Sequence, residues 1–95
     1  MDKLEKAQKA ARKQLSDNLK SFRAKLNISQ EALSERAGFH RTYISQVERQ
    51  TTNPTLNNVV AIAVALEVKL TDLLSEHDGQ PATLKQGRRP SKSSA

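Results

Sequence analysis

From Ser16 to Leu74, apolar residues recur at intervals of three and four, the spacing that gathers side chains on one face of a helix. Leu19, Phe22, Arg23 and Leu26 share one such face. With Ser16 or Asp17 available as cap, the pattern predicts a helix ending near Asn27. Ser29 is placed to cap a second short helix that turns Ala32, Leu33 and Ala37 inward, and Gly38 ends it in the left-handed conformation that glycine adopts without strain. A third helix follows with scarcely a loop, its apolar positions being Ile44 and Val47. Asn53-Pro54-Thr55 then punctuates the chain. Thr55 caps a fourth helix with Leu56, Val59, Val60, Ala63 and Leu66 inside, and Thr71 is expected to cap a last one holding Leu73 and Leu74.

The two ends of the chain are patterned differently. Residues 3 to 15, KLEKAQKAARKQL, are nearly all good helix formers without Gly or Pro, yet Leu4, Ala7, Ala11 and Leu15 make only a thin apolar stripe. Two readings stay open for it: a solvated helical extension, or a basic helix lying near a phosphate backbone. After Glu76 the sequence HDGQPATLKQGRRPSKSSA is polar, broken by Gly and Pro, and almost without large apolar groups, so a disordered tail is expected. The chain thus divides into a basic helical extension (1–15), a helical domain (16–76) and a disordered basic tail (77–95).

Composition narrows the functional classes. Ninety-five residues support one domain with a modest core, and an aromatic content of 3% leaves that core to Leu, Ile, Val and Ala. With no cysteine there is no disulfide or thiolate metal site. No stretch approaches the ~18 apolar residues that span a bilayer, and the charged N-terminus is unlike a signal peptide, so a cytoplasmic protein without membrane contact is expected. No nucleophile, base and orienting group occur together and there is no phosphate-cradling glycine loop, which argues against an enzyme. Of the two histidines, His40 reads as a cap before the third helix rather than a ligand, and His77 falls in the tail; no metal, cofactor or small-molecule ligand is predicted. The net charge of +6 favours a polyanionic partner. Most of the excess lies at the ends, because the central domain is nearly neutral and must make any basic patch by placement.

The run Gly38 to Gln50, GFHRTYISQVERQ, sets Arg, Thr, Tyr, Ser and Gln on one short helix, where a merely solvated face would use Lys and Glu. Two short helices joined through Gly38 fit a helix-turn-helix. Taken in order, ISQEALSERAG, FHRTYISQVERQ, NPTLNNVVAIAVAL and VKLTDLL make the span from Leu19 to Leu74 resemble the phage-repressor and Cro type of helix-turn-helix domain, the XRE family of bacterial regulators. The resemblance implies an all-α, compact five-helix, lambda-repressor-like domain that binds double-stranded DNA. It implies a sequence-specific transcriptional regulator of the bacterial nucleoid, a repressor or autoregulator acting as a homodimer on a palindromic operator. An antitoxin-like protein-interaction module is the alternative.

The resemblance also implies roles for residues. Arg41, Thr42, Ser45 and Gln46 match positions that face base edges, with a phosphate contact the alternative for Arg41. Gln30 matches a phosphate-holding glutamine, or is an ordinary first-turn residue. Tyr43 is expected at phosphate or at the groove edge, and Arg49 at phosphate or in solvent. Arg23 and Glu48 match a structural ion pair. Val68, Leu70, Leu73 and Leu74 are candidates for the dimer interface or else for the core. Gln50 departs from the usual glycine, so the third helix is expected to end differently or to run on, and Ser34 departs from a small apolar residue with little expected consequence. In the tail, KQGRRPSK is similar to arms that enter the minor groove, the alternative being sequence-blind affinity.

Overall fold

Where the pattern predicts two helices at the N-terminus, the chain forms one. The structure, a computed structural model, describes residues 2–76. Its elements are α1 (Lys3–Leu26), α2 (Gln30–Arg36), α3 (Tyr43–Glu48), α4 (Leu56–Leu66) and α5 (Leu70–Leu74). A capping box closes the start of α1: Asp2 Oδ1 accepts the Glu5 backbone N–H at 2.7 Å, and Glu5 Oε1 accepts that of Asp2 at 3.3 Å. Neither Ser16 nor Asp17 acts as a cap. Ser16 is fully buried and donates to the Glu48 carbonyl at 2.6 Å, while Asp17 pairs with Lys13 one turn back. With no Gly or Pro between residues 3 and 26, nothing else stops the helix, and the boundary drawn at 15/16 lies inside it. The expected tail, with His77 and the KQGRRPSK segment, lies outside the described residues.

The core joins all five helices. Leu15 and Leu19 of α1, Leu33 of α2, Ile44 and Val47 of α3, Ile62 and Leu66 of α4 and Leu73 of α5 are buried together. Ser29 and Thr55 cap α2 and α4 as expected, accepting the Ala32 and Asn58 backbone N–H groups. Three inward assignments fail: Ala32, Leu56 and Val60 are exposed. Because α4 is apolar nearly all round, periodicity does not reveal which face is covered. Ile62 and Ala65 take the inner positions instead. Helix α5 begins one residue before Thr71. Asp72 rather than Thr71 takes the free N–H, accepting from Lys69 at 3.1 Å. At its other end Asn18, fully buried on α1, donates through one amide nitrogen to the carbonyls of Leu73 (2.7 Å) and Ser75 (2.8 Å).

Helices α1 to α4 end in one way. Asn27, Gly38, Gln50 and Glu67 each take a positive φ, and the N–H of the next residue closes back onto a carbonyl five positions earlier. Only Gly38 is free of a Cβ. Gln50 therefore neither extends α3 nor changes its ending: it adopts the left-handed turn at φ 63° despite its side chain. Two hydrogen bonds, from its own N–H to Val47 and from Thr51 N–H to Gln46, hold it there.

Candidate nucleic-acid interface

Helix α3 has only six residues, and its orientation is set by what grips its inner side. Ile44 and Val47 sit in the core. The Glu48 carboxylate, 3% exposed, receives Arg23 Nε at 2.8 Å and Nη2 at 3.1 Å, and Gln30 Nε2 at 2.8 Å. Arg23 Nη1 donates in turn to the Ile28 carbonyl at 2.9 Å, so a single guanidinium joins α1, α3 and the loop before α2. A planar fork matched to a carboxylate suits that geometry better than a lysine. Ser34 adds a second tie. Its hydroxyl donates to the Gln30 carbonyl at 3.0 Å and accepts the Ile44 N–H at 3.0 Å, fastening α2 to the first turn of α3. The small consequence expected for Ser34 is thus corrected: it satisfies a buried backbone donor.

The outer side has only exposed contacts, among them the Thr42 hydroxyl 3.1 Å from His40 Nδ1. Helix α3 starts at Tyr43, so Arg41 and Thr42 occupy the turn before it rather than its first turn. Thr42 rather than His40 is the N-cap residue of α3, and His40 makes a backbone-side contact instead: its Nδ1 accepts the Thr42 N–H at 3.3 Å and its carbonyl the Tyr43 N–H at 2.9 Å. The Arg41 side chain is 68% exposed, with the Glu31 carboxylate 3.7 Å away. Ser45 donates to the Thr42 carbonyl at 2.8 Å, leaving its oxygen as an acceptor only. Gln46 engages its backbone carbonyl, which accepts from Thr51; its side-chain amide has no hydrogen bond among the described residues. Arg41 and Thr42 in the turn and Gln46 on the helix therefore offer donors, acceptors and a methyl group at a fixed element.

The flanking residues divide. Gln30 spends one amide hydrogen on Glu48 and keeps a second. Tyr43 packs against Phe39, ring centroids 4.5 Å apart and planes tilted by 40°, and its hydroxyl accepts from Asn58 at 3.0 Å, leaving its proton free to donate. Arg49 is exposed just past the helix end. Asn58, Glu31 and the link from Gln30 to Glu48 are not legible in the sequence, because each contact joins residues at least ten apart. Of the four interface candidates, Val68 and Leu70 are half-buried against the core and Leu74 is half exposed. Leu73 is fully buried between α1 and α4, which removes it from any interface. Among the described residues there is no cluster of three metal-ligating side chains and no helix long and apolar enough to cross a membrane.

Comparison with known proteins agrees with this architecture. The family model described as helix-turn-helix matches residues 19–73. Control protein C.SmaI of Serratia marcescens is 44% identical over 61 residues, 64% of this chain and 73% of that protein. Control protein C.BamHI of Bacillus amyloliquefaciens is 49% identical over 51 residues, 54% of this chain and 63% of its own. Among solved structures, the hypothetical transcription factor NHTF from Neisseria superposes with a TM-score of 0.69 at 38% identity, covering 72% of this chain and 78% of that one.

Proposed function

This chain belongs to the helix-turn-helix family of XRE-type transcriptional regulators, and on that premise we propose that it reads a palindromic operator as a homodimer, repressing or autoregulating transcription. The observation that carries the reading is an asymmetry at α3: Glu48 and its partners fix the helix from inside, while Arg41 and Thr42 in the turn before it are exposed and Gln46 on it is partly exposed with no side-chain hydrogen bond among the described residues. Arg41 is suited to guanine O6 and N7, Gln46 to adenine N6 and N7, and the Thr42 methyl to thymine. Ser45 contributes an acceptor. Gln30 and Tyr43 each retain a proton for phosphate oxygen, and Arg49 adds charge at the groove edge. A domain so equipped acts by occupying DNA, which fits repression.

Pairing rests on a different surface from α3. Leu56, Val60 and Val64 are 65, 39 and 72% exposed at four-residue spacing on α4, and Leu74 of the adjoining α5 is 50% exposed. A second copy of the chain covering this row gives two reading heads on half-sites about one helical turn (~34 Å) apart. The same row favours the second reading, an unlike protein partner with DNA binding secondary.

Selection of duplexes from a randomised pool at near-physiological salt tests both. A palindrome recovered by the wild type and lost by Arg41→Ala/Gln46→Ala supports the dimeric reader. Sequence-blind, salt-sensitive binding by both proteins would transfer the case to the partner-binding reading.

A further inference from the structure

The exposed first half of α1 continues a face that the domain uses against α3. Ser16 defines that face by its contact with the Glu48 carbonyl at 2.6 Å. At about 100° per residue, Lys9, Arg12, Lys20 and Arg23 all fall within about 40° of Ser16, and Lys13 within about 60°. Arg23 is committed to Glu48, and Lys13 is paired with Asp17 at 2.8 Å. Lys9 and Lys20 are exposed and have no ionic partner among the described residues; Arg12 is partly exposed. The one acid on this face, Glu5, is turned back on the helix start by the capping box. Arg49 stands exposed immediately after Glu48, whose carbonyl Ser16 touches.

Resting on the DNA-binding reading above, we propose that this row, centred on Lys9, Arg12 and Lys20, is a second phosphate-binding surface that lies along duplex DNA beside the half-site read by α3. Residues 2–11 are exposed and add nothing to the buried core, yet they are helical and capped. The unbroken helix holds Lys9 two turns, roughly 10 Å, from Ser16 with no joint between them. That distance corresponds to about three base pairs of phosphate backbone at ~3.4 Å each. The surface carries no base-reading groups, so it contributes affinity and register without sequence preference.

Salt titration of the full chain on its selected duplex tests the assignment. Lys9→Gln/Lys20→Gln removes two charges from the row; Lys3→Gln/Lys69→Gln removes two from elsewhere. The row variant is expected to lower the slope of log K against log salt by about 2, since each phosphate contact contributes ~0.9. The control pair should lower it by less than half that, and Lys9→Arg/Lys20→Arg should keep the wild-type slope. Base preference should be the same in all four proteins. Equal slopes in both glutamine pairs, whether changed or not, would overturn the surface. Loss of base preference in the wild type would instead strike the reading on which the proposal rests, and helicity by circular dichroism separates either result from misfolding.

Discussion

On the inner side of α3, Ile44, Val47 and Glu48 each meet fixed partners, whereas Arg41 and Thr42 just before it are exposed and Gln46 is partly exposed, with few side-chain partners between them. The difference teaches how so short a helix serves as a reading element. Six residues make too few internal hydrogen bonds to hold a helix in isolation. The inward lock supplies its direction, and the outward groups are then free to be chosen for their partner rather than for the fold. Less ordering remains to be done on binding.

The largest effect is expected where the inner lock is broken. Arg23→Ala leaves the Glu48 carboxylate buried without its cation and should lower stability by about 3–5 kcal/mol in denaturant unfolding. Replacing both partners with Met and Leu should recover most of that loss; no recovery would mean that the pair does more than neutralise itself. Ser34→Ala should remove about 1–3 kcal/mol, because the buried Ile44 N–H loses its acceptor. A Ser34→Ala protein of wild-type stability would show that the α2 to α3 tie is redundant.

On the outer side the sign of the experiment reverses. Gln46→Ala should leave unfolding within about 0.5 kcal/mol of wild type while costing about 1–3 kcal/mol on the preferred duplex and relaxing choice at one base pair. A stability loss larger than that would place Gln46 on the inner face after all. The smallest effect concerns the helix end. Gln50→Gly should raise stability by up to about 1 kcal/mol, because the left-handed turn no longer strains a side chain. A destabilised Gln50→Gly would indicate that the Gln50 side chain contributes more than its backbone strain removes.

Local chemistry made much of the fold legible. Ser29 and Thr55 as caps, Gly38 as the turn, and Ile44 with Val47 as the buried pair of α3 follow from residue type and spacing alone. What was not legible depended on partners distant in sequence. Ser16 has the local chemistry of a cap and becomes a buried donor only because Glu48 arrives 32 residues later. Leu56 and Val60 look like core because every exposed position nearby on α4 except Asn57 is apolar too. The ending at Gln50 is not legible for the opposite reason: a side chain disfavours the left-handed turn by ~1 kcal/mol, and the two backbone bonds that hold it there do not depend on residue type. At the site, the resemblance implied the pair of Arg23 and Glu48, which the structure holds, but not Gln30 as a further donor to Glu48.

The two bonds from Asn18 have a consequence for synthesis. Their acceptors, the carbonyls of Leu73 and Ser75, lie 55 and 57 residues further along the chain. A ribosome adding ~5–20 residues per second leaves that amide waiting for about three to eleven seconds. Until then Asn18 has neither acceptor and the first helix has no Leu73 to pack against, whereas Glu48, the partner of Ser16 and Arg23, is made earlier. The contacts of the first helix with the last therefore form only once the final turn has been made, and a chain truncated before Leu70 would lack them altogether.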